Sequence, residues 1–182
     1  MVTVPTPYDA TSGFKLTAAD WDLGVRDALL FLMTAHPRVH AWNSTNLSFA
    51  DTVTTLVTFN SENYDTDAMH STSSNTSRIT ATTAGLYEFH WFIRMASTTY
   101  TQLDLDIRLN AGGSSGGGSS ILPSNLPFTS GGSFRIVNFH YIQFMNAGDY
   151  HEAFLTQTST AARLATGGPF TTFCQARWIA TS

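Results

Sequence analysis

Apolar residues recur along this chain with two different periods. Between Trp21 and Leu32 they fall at three- and four-residue steps (Trp21, Val25, Ala28, Leu29, Leu32), the spacing that lines one face of an α-helix. Thr17 stands where an N-cap belongs and Asp20 three positions later, a capping pattern; Asp20 and Asp22 also suit the positive end of a helix dipole. Leu30, Phe31 and Met33 widen the stripe, and Pro37 ends the helix. One helix cannot bury such a surface on itself, so it must pack on its own domain, on copies of itself or on another protein.

From Arg38 onward the helical period disappears, and β-branched and aromatic runs lie between turn signals. They predict strands at "RVHAW", "TTLVTFN", "RITATT", "LYEFHWFIRMA", "TQLDLDIRLN", "FRIVNFHYIQFM", "YHEAFLTQTS" and "TTFCQARWIA". Over 103–109 the alternation is strict, with Leu103, Leu105, Ile107 and Leu109 on one face and Asp104, Asp106 and Arg108 on the other. Eight strands with no helix between them predict an all-β antiparallel jelly-roll sandwich over 38–182 and exclude a parallel α/β fold. Residues 1–13, rich in Pro and Thr and without a period, read as an extended arm, so 1–37 is an arm plus one helix.

"LYEFHWFIRMA" carries large groups on both faces: Tyr87, Phe89, Trp91, Ile93 and Met95 on one, Leu86, His90 and Phe92 on the other. Only one face can belong to the core of a single sandwich. The other, with the similar face of "FRIVNFHYIQFM", predicts subunit association; coverage by the N-terminal helix is the alternative.

Composition narrows the partners. Of 182 residues 42% are hydrophobic and 13% aromatic but only 12% charged, the net charge is −4 and Lys15 is the single lysine, so no basic patch awaits nucleic acid or an anionic membrane. The longest apolar run, "ALLFLM", is far shorter than the roughly 20 residues of a membrane span, and the N-terminus shows no basic-then-apolar secretory signal. Cys174, alone in an apolar stretch, reads as a buried small hydrophobe.

Candidate chemistry is sparse. "AGGSSGGGSS" matches a nucleophile elbow around Ser114 in spacing only, because no helix follows it, and it lacks the G-K-[S/T] of a phosphate loop; it reads as a long mobile loop. The six histidines have no metal-binding spacing in sequence, but His90 and His140 can meet across neighbouring strands, either as a hydrogen-bonded polar seam or as a metal- or pH-responsive cluster. In "FNSENYDTDAMHS", Asp65 and Asp67 have the i, i+2 spacing of calcium loops, yet the positions that an EF-hand fills with Gly and Glu hold His70 and Thr76. An irregular calcium site there stays open; no other cofactor is indicated. As a loop between strands, the segment would be capped by Asp65 and anchored by Phe59 and Tyr64. Exposed carboxylates with no source of a raised pKa argue against a hydrolase.

These residues also carry a resemblance. Phe59, Tyr64-Asp65-Thr66, "TTAG", Gly85-Leu86-Tyr87 with Phe89, "IRLN" and "MNAGDY" follow one another as in the complement C1q/tumour-necrosis-factor-like jelly rolls. "YDTDAMHS", "TSRITATTAG", "LTQTS" and the helical "LTAADWDLGVRDALLFLMTAHPRV" resemble the bacteriophage branch, found in tail-associated proteins of actinobacterial phages; its "DLN" at the helix start is Asp20-Trp21-Asp22 here. The resemblance implies a non-enzymatic virion protein on the outer surface of the particle. It implies a homotrimer attached through arm and helix to the tail, with Trp21, Val25, Leu29, Leu32, His90 and Phe92 facing copies or other virion proteins. Capsid decoration is the alternative placement. Recognition of a host surface glycan through Tyr64, Asp65 and Asn125 is the alternative role.

Overall fold

In the strand Gly85–Met95 every second side chain is buried, and Tyr87, Phe89, Trp91, Ile93 and Met95 are each at most 1% exposed. This alternation is what the period-2 geometry of a strand produces when one face meets a core. The computed structural model describes residues 17–96, 99–122 and 134–181. A helical run over 18–35 leads into twelve strands. They are β1 (Arg38–Trp42), β2 (Leu47–Phe49), β3 (Thr55–Leu56), β4 (Ser61–Asp65), β5 (Ile79–Thr80), β6 (Gly85–Met95), β7 (Gln102–Leu109), β8 (Ser119–Leu122), β9 (Arg135–Met145), β10 (Tyr150–Thr158), β11 (Arg163–Ala165) and β12 (Thr172–Ala180).

Two sheets face each other, and all pairings between these strands are antiparallel. In the larger, β6 pairs along its length with β12 on one side and β9 on the other; β1 and then β4 continue beyond β12, and β11 with β2 extends one end. In the smaller, β10 is central, with β7 and then β8 on one side and the short β3 and β5 on the other. The inward residues of β6 share one core with Leu103, Leu105 and Ile107 of β7 and Ala153 and Leu155 of β10. Each such large apolar side chain, fully buried, contributes roughly 1.5–3 kcal/mol. The architecture is an antiparallel jelly-roll sandwich.

One buried carboxylate ties three segments to this core. Glu152, 1% exposed, accepts from Ser77 Oγ at 2.8 Å, Arg78 Nε at 3.2 Å and the Gly113 amide at 2.8 Å. That last bond corrects the reading of the Gly/Ser tract as a long mobile loop. The tract folds back on itself as Arg108 donates to the carbonyls of Gly117 (2.7 Å) and Ser115, and its end enters β8. Glycine is needed where the backbone closes, for a Cβ on Gly118 would stand 2.0 Å from the Leu109 carbonyl oxygen.

The segment 59–71 also differs from a simple inter-strand loop. Its first half is strand β4, which pairs with β1 across a register shift at His40/Ala41. Asp65 then caps the turn, accepting from the amides of Asp67 (3.2 Å), Met69 (3.0 Å) and His70 (2.9 Å). Phe59 is fully buried, whereas Tyr64 is 40% exposed and anchors nothing in the core. A polar edge strand such as "SENYD" has no apolar alternation, which hides it in the sequence.

Candidate subunit interface

The helix begins as its sequence dictates, with a reciprocal capping box between Thr17 and Asp20. It then contains two wide π-turns, Asp22–Arg26 and Phe31–Ala35, which break the 3.6-residue phase of the apolar stripe. Phe31 is the residue that docks, 5% exposed and edge-on to Trp178 with ring centroids 5.3 Å apart. Trp21, Leu29 and Leu32 are 54%, 51% and 59% exposed, and Val25 is half-buried. The stripe predicted as one packed face is therefore left largely open on the single chain, and Phe31 docks the end of the helix against Trp178.

On the larger sheet, the face turned away from the core is built by the even positions of β6 and β9 and the odd positions of β12. Register brings His90 opposite His140 and opposite Gln175, and Phe92 opposite Phe173 and Asn138. Phe92 and Phe173 stack, and the rings of His90 and His40 meet Phe173 edge-on at 5.2 and 5.1 Å. Ile136 stands beside this cluster and Ile142, Phe144 and Ile179 stand at the other end of the face, all exposed large hydrophobics. These four escaped the sequence reading of the face. Alternation alone gives their parity; only the strand order places them on one face with His90 and Phe92.

The centre of this face is polar. Glu88 receives Arg177 Nε on one oxygen and His140 Nε2, at 2.6 Å, on the other. The hydrogen bond from Arg177, reinforced by His140 and working against burial, holds the Glu88 carboxyl below its ordinary range. His90 Nε2 donates to Asn138 Oδ1 at 2.8 Å, and the His90 and His140 rings lie 6.0 Å apart at 82°. His40, nearly buried, accepts from Asn63 Nδ2 on its Nδ1 at 2.9 Å; burial pushes its pKa down. A depression of about 310 Å³ between Tyr64, Glu88, His90, His140, Gln175 and Arg177 marks this centre. The end of the helix reaches only the margin of the face, where Leu32 and His36 line a second hollow with Ile142 and Ile179.

No protein-family model matches the chain, and no curated protein sequence does. Solved structures do. Eiger TNF from S. frugiperda is 14% identical over 81% of this chain and 95% of its own, with a TM-score of 0.59. Murine APRIL is 12% identical over 79% and 99%, with a TM-score of 0.58. The globular domain of zebrafish complement 1qA protein is 14% identical over 80% and 99%, with a TM-score of 0.51. The fold is the TNF/C1q jelly roll.

On this jelly roll the remaining candidate residues do not converge. Tyr64 belongs to the outward face of β4, with Arg38 5.4 Å over its ring, while the neighbouring Asp65 turns to the amides it caps. Asn125 lies outside the described residues. Asp67 is buried and accepts from Thr82 and Thr83 hydroxyls, the latter at 2.9 Å. The two aspartates thus serve the turn and the "TTAG" segment, and no group of three or more His, Cys, Asp or Glu side chains placed to hold a metal occurs among the described residues. Ser114 sits in a turn in the Gly/Ser tract with no helix behind it. Cys174 is buried and its thiol is pushed up by that burial, away from thiolate chemistry.

Proposed function

We propose that this chain is a non-enzymatic structural protein of a bacteriophage particle. It assembles as a homotrimer through the outward face of its larger sheet and is held to the tail by its N-terminal arm and helix. The observation that carries the assembly is the face itself, where Ile136 lies exposed beside the stacked Phe92 and Phe173, and Ile142, Phe144 and Ile179 lie exposed at the other end. Apolar surface of that kind, here in two patches flanking the polar row of Glu88, His90, His140 and Arg177, is what subunit contacts remove from water. Obligate interfaces bury upwards of about 2,000 Å², which at roughly 25 cal/mol per Å² of apolar area outweighs the cost of association.

The trimeric state and the virion placement rest on the resemblance of the "YDTDAMHS", "TSRITATTAG" and helical segments to the phage branch. The exposed Trp21, Leu29 and Leu32 fit an attachment helix, because the jelly roll itself engages the helix chiefly through Phe31. Cryo-microscopy of the intact particle tests the placement. Density for three jelly rolls about a threefold axis at the tail is the expected result. The same density on the capsid lattice would make this a decoration protein, and absence from the particle would overturn the reading.

A further inference from the structure

We propose that His90 and His140 form a chelating site for a divalent transition-metal ion of the zinc or copper class. The two residues are direct partners in the β6/β9 register, so their side chains leave the same face from adjacent backbone positions. Each ring is already oriented by an oxygen acceptor at Nε2: Asn138 Oδ1 at 2.8 Å for His90 and Glu88 Oε1 at 2.6 Å for His140. An Nε2–H that donates leaves the lone pair on Nδ1, the form in which imidazole binds a metal. The carboxylate behind His140 is moreover the partner that metal-binding histidines commonly use, and Glu88 is itself fixed by Arg177. Two imidazoles on one tetrahedral ion have their ring centroids about 5 Å apart. Here they stand 6.0 Å apart, within the depression both rings line.

The site needs no second copy for its two nitrogen donors. Its open coordination positions face outward, toward water or toward whatever the sheet face meets. Spacing in sequence gives no sign of it, since the two residues are brought together only by the strand pairing.

Calorimetric titration of Zn²⁺ into tag-free, chelator-treated protein tests the proposal, with Cu²⁺ electron paramagnetic resonance as the second readout. Saturable binding of one Zn²⁺ per chain is expected, weakened about tenfold or more by His90→Ala and by His140→Ala. The Cu²⁺ spectrum should show two imidazole nitrogens in the parent and one in each variant. His36→Ala, on the helix, serves as the control and should change neither readout. No saturable binding, or equal affinity and an unchanged spectrum in both sheet variants, would overturn the site. Light scattering on the same metal-free samples separates this from the assembly: a monomer that binds Zn²⁺ sinks the interface alone, and a trimer that does not sinks the metal site alone.

Discussion

Phe92 stacks on Phe173 with ring centroids 5.3 Å apart and planes 5° from parallel, on the side of the sheet that faces away from the core. A pair like this adds about 0.5–1.5 kcal/mol to a single fold beyond its area. Its larger consequence is for association. Phe92→Glu should leave the circular dichroism of the sandwich intact while shifting sedimentation to the single-chain mass. Unchanged sedimentation would remove Phe92 from the interface.

His151 makes stability fall in acid. It is buried beside Phe89 and accepts the Tyr141 hydroxyl on Nδ1 at 3.0 Å, and burial, partly offset by Asp149, pushes its pKa from 6.5 down to about 3. The unfolded chain therefore takes up a proton below 6.5 that the folded chain refuses. Stability is fully present above that pH and declines by about 1.4 kcal/mol per unit toward pH 3, over and above other groups. Urea unfolding across this range should show a shallower acid limb for His151→Gln than for the parent. Parallel limbs would contradict the assignment.

The long strands were legible because their chemistry alternates. β6, β7, β9, β10 and β12 each match a predicted run to within a residue or two. β2, β11 and β8 were not, the first two being three residues long and the last following a Gly/Ser tract. β4 was missed because "SENYD" offers no apolar period, so Tyr64 and Asp65 read as loop residues. The capping role of Asp65 could be read from local turn chemistry. The role of Asp67 could not, since Thr82 and Thr83 reach it from 15 and 16 positions away. The same limit applies to the sheet face, where His90 and Phe92 were visible but Glu88 and Arg177 became partners only through the β6/β12 register.

Asp67 should matter more to the fold than its neighbour in any ligand role. Asp67→Ala removes the buried carboxylate that accepts from the Thr82 and Thr83 hydroxyls, a loss of about 1–3 kcal/mol. Asp65→Ala removes the cap on three amides and should lower the melting temperature as well. Because these oxygens are already engaged, millimolar calcium should leave the parent's melting temperature unchanged. A rise on adding calcium, lost in Asp65→Asn, would restore a calcium site there.

Gly85 opens β6 with no room for a side chain. A Cβ there would lie 2.2 Å from Trp178 Nε1 and 2.6 Å from the Ala180 carbonyl oxygen. Trp178 is held in place by its bond to the Ala84 carbonyl and by Phe31. Gly85→Ala should thus cost about 1–3 kcal/mol by thermal or denaturant unfolding and loosen the helix from the sheet. Wild-type stability in that variant would show that Trp178 moves freely.

The central claim is that the outward face of the larger sheet joins copies of this chain. Multi-angle light scattering of the purified protein at micromolar concentration measures it directly. Three times the chain mass of 19.8 kDa is the predicted result, and a single-chain mass would contradict the account.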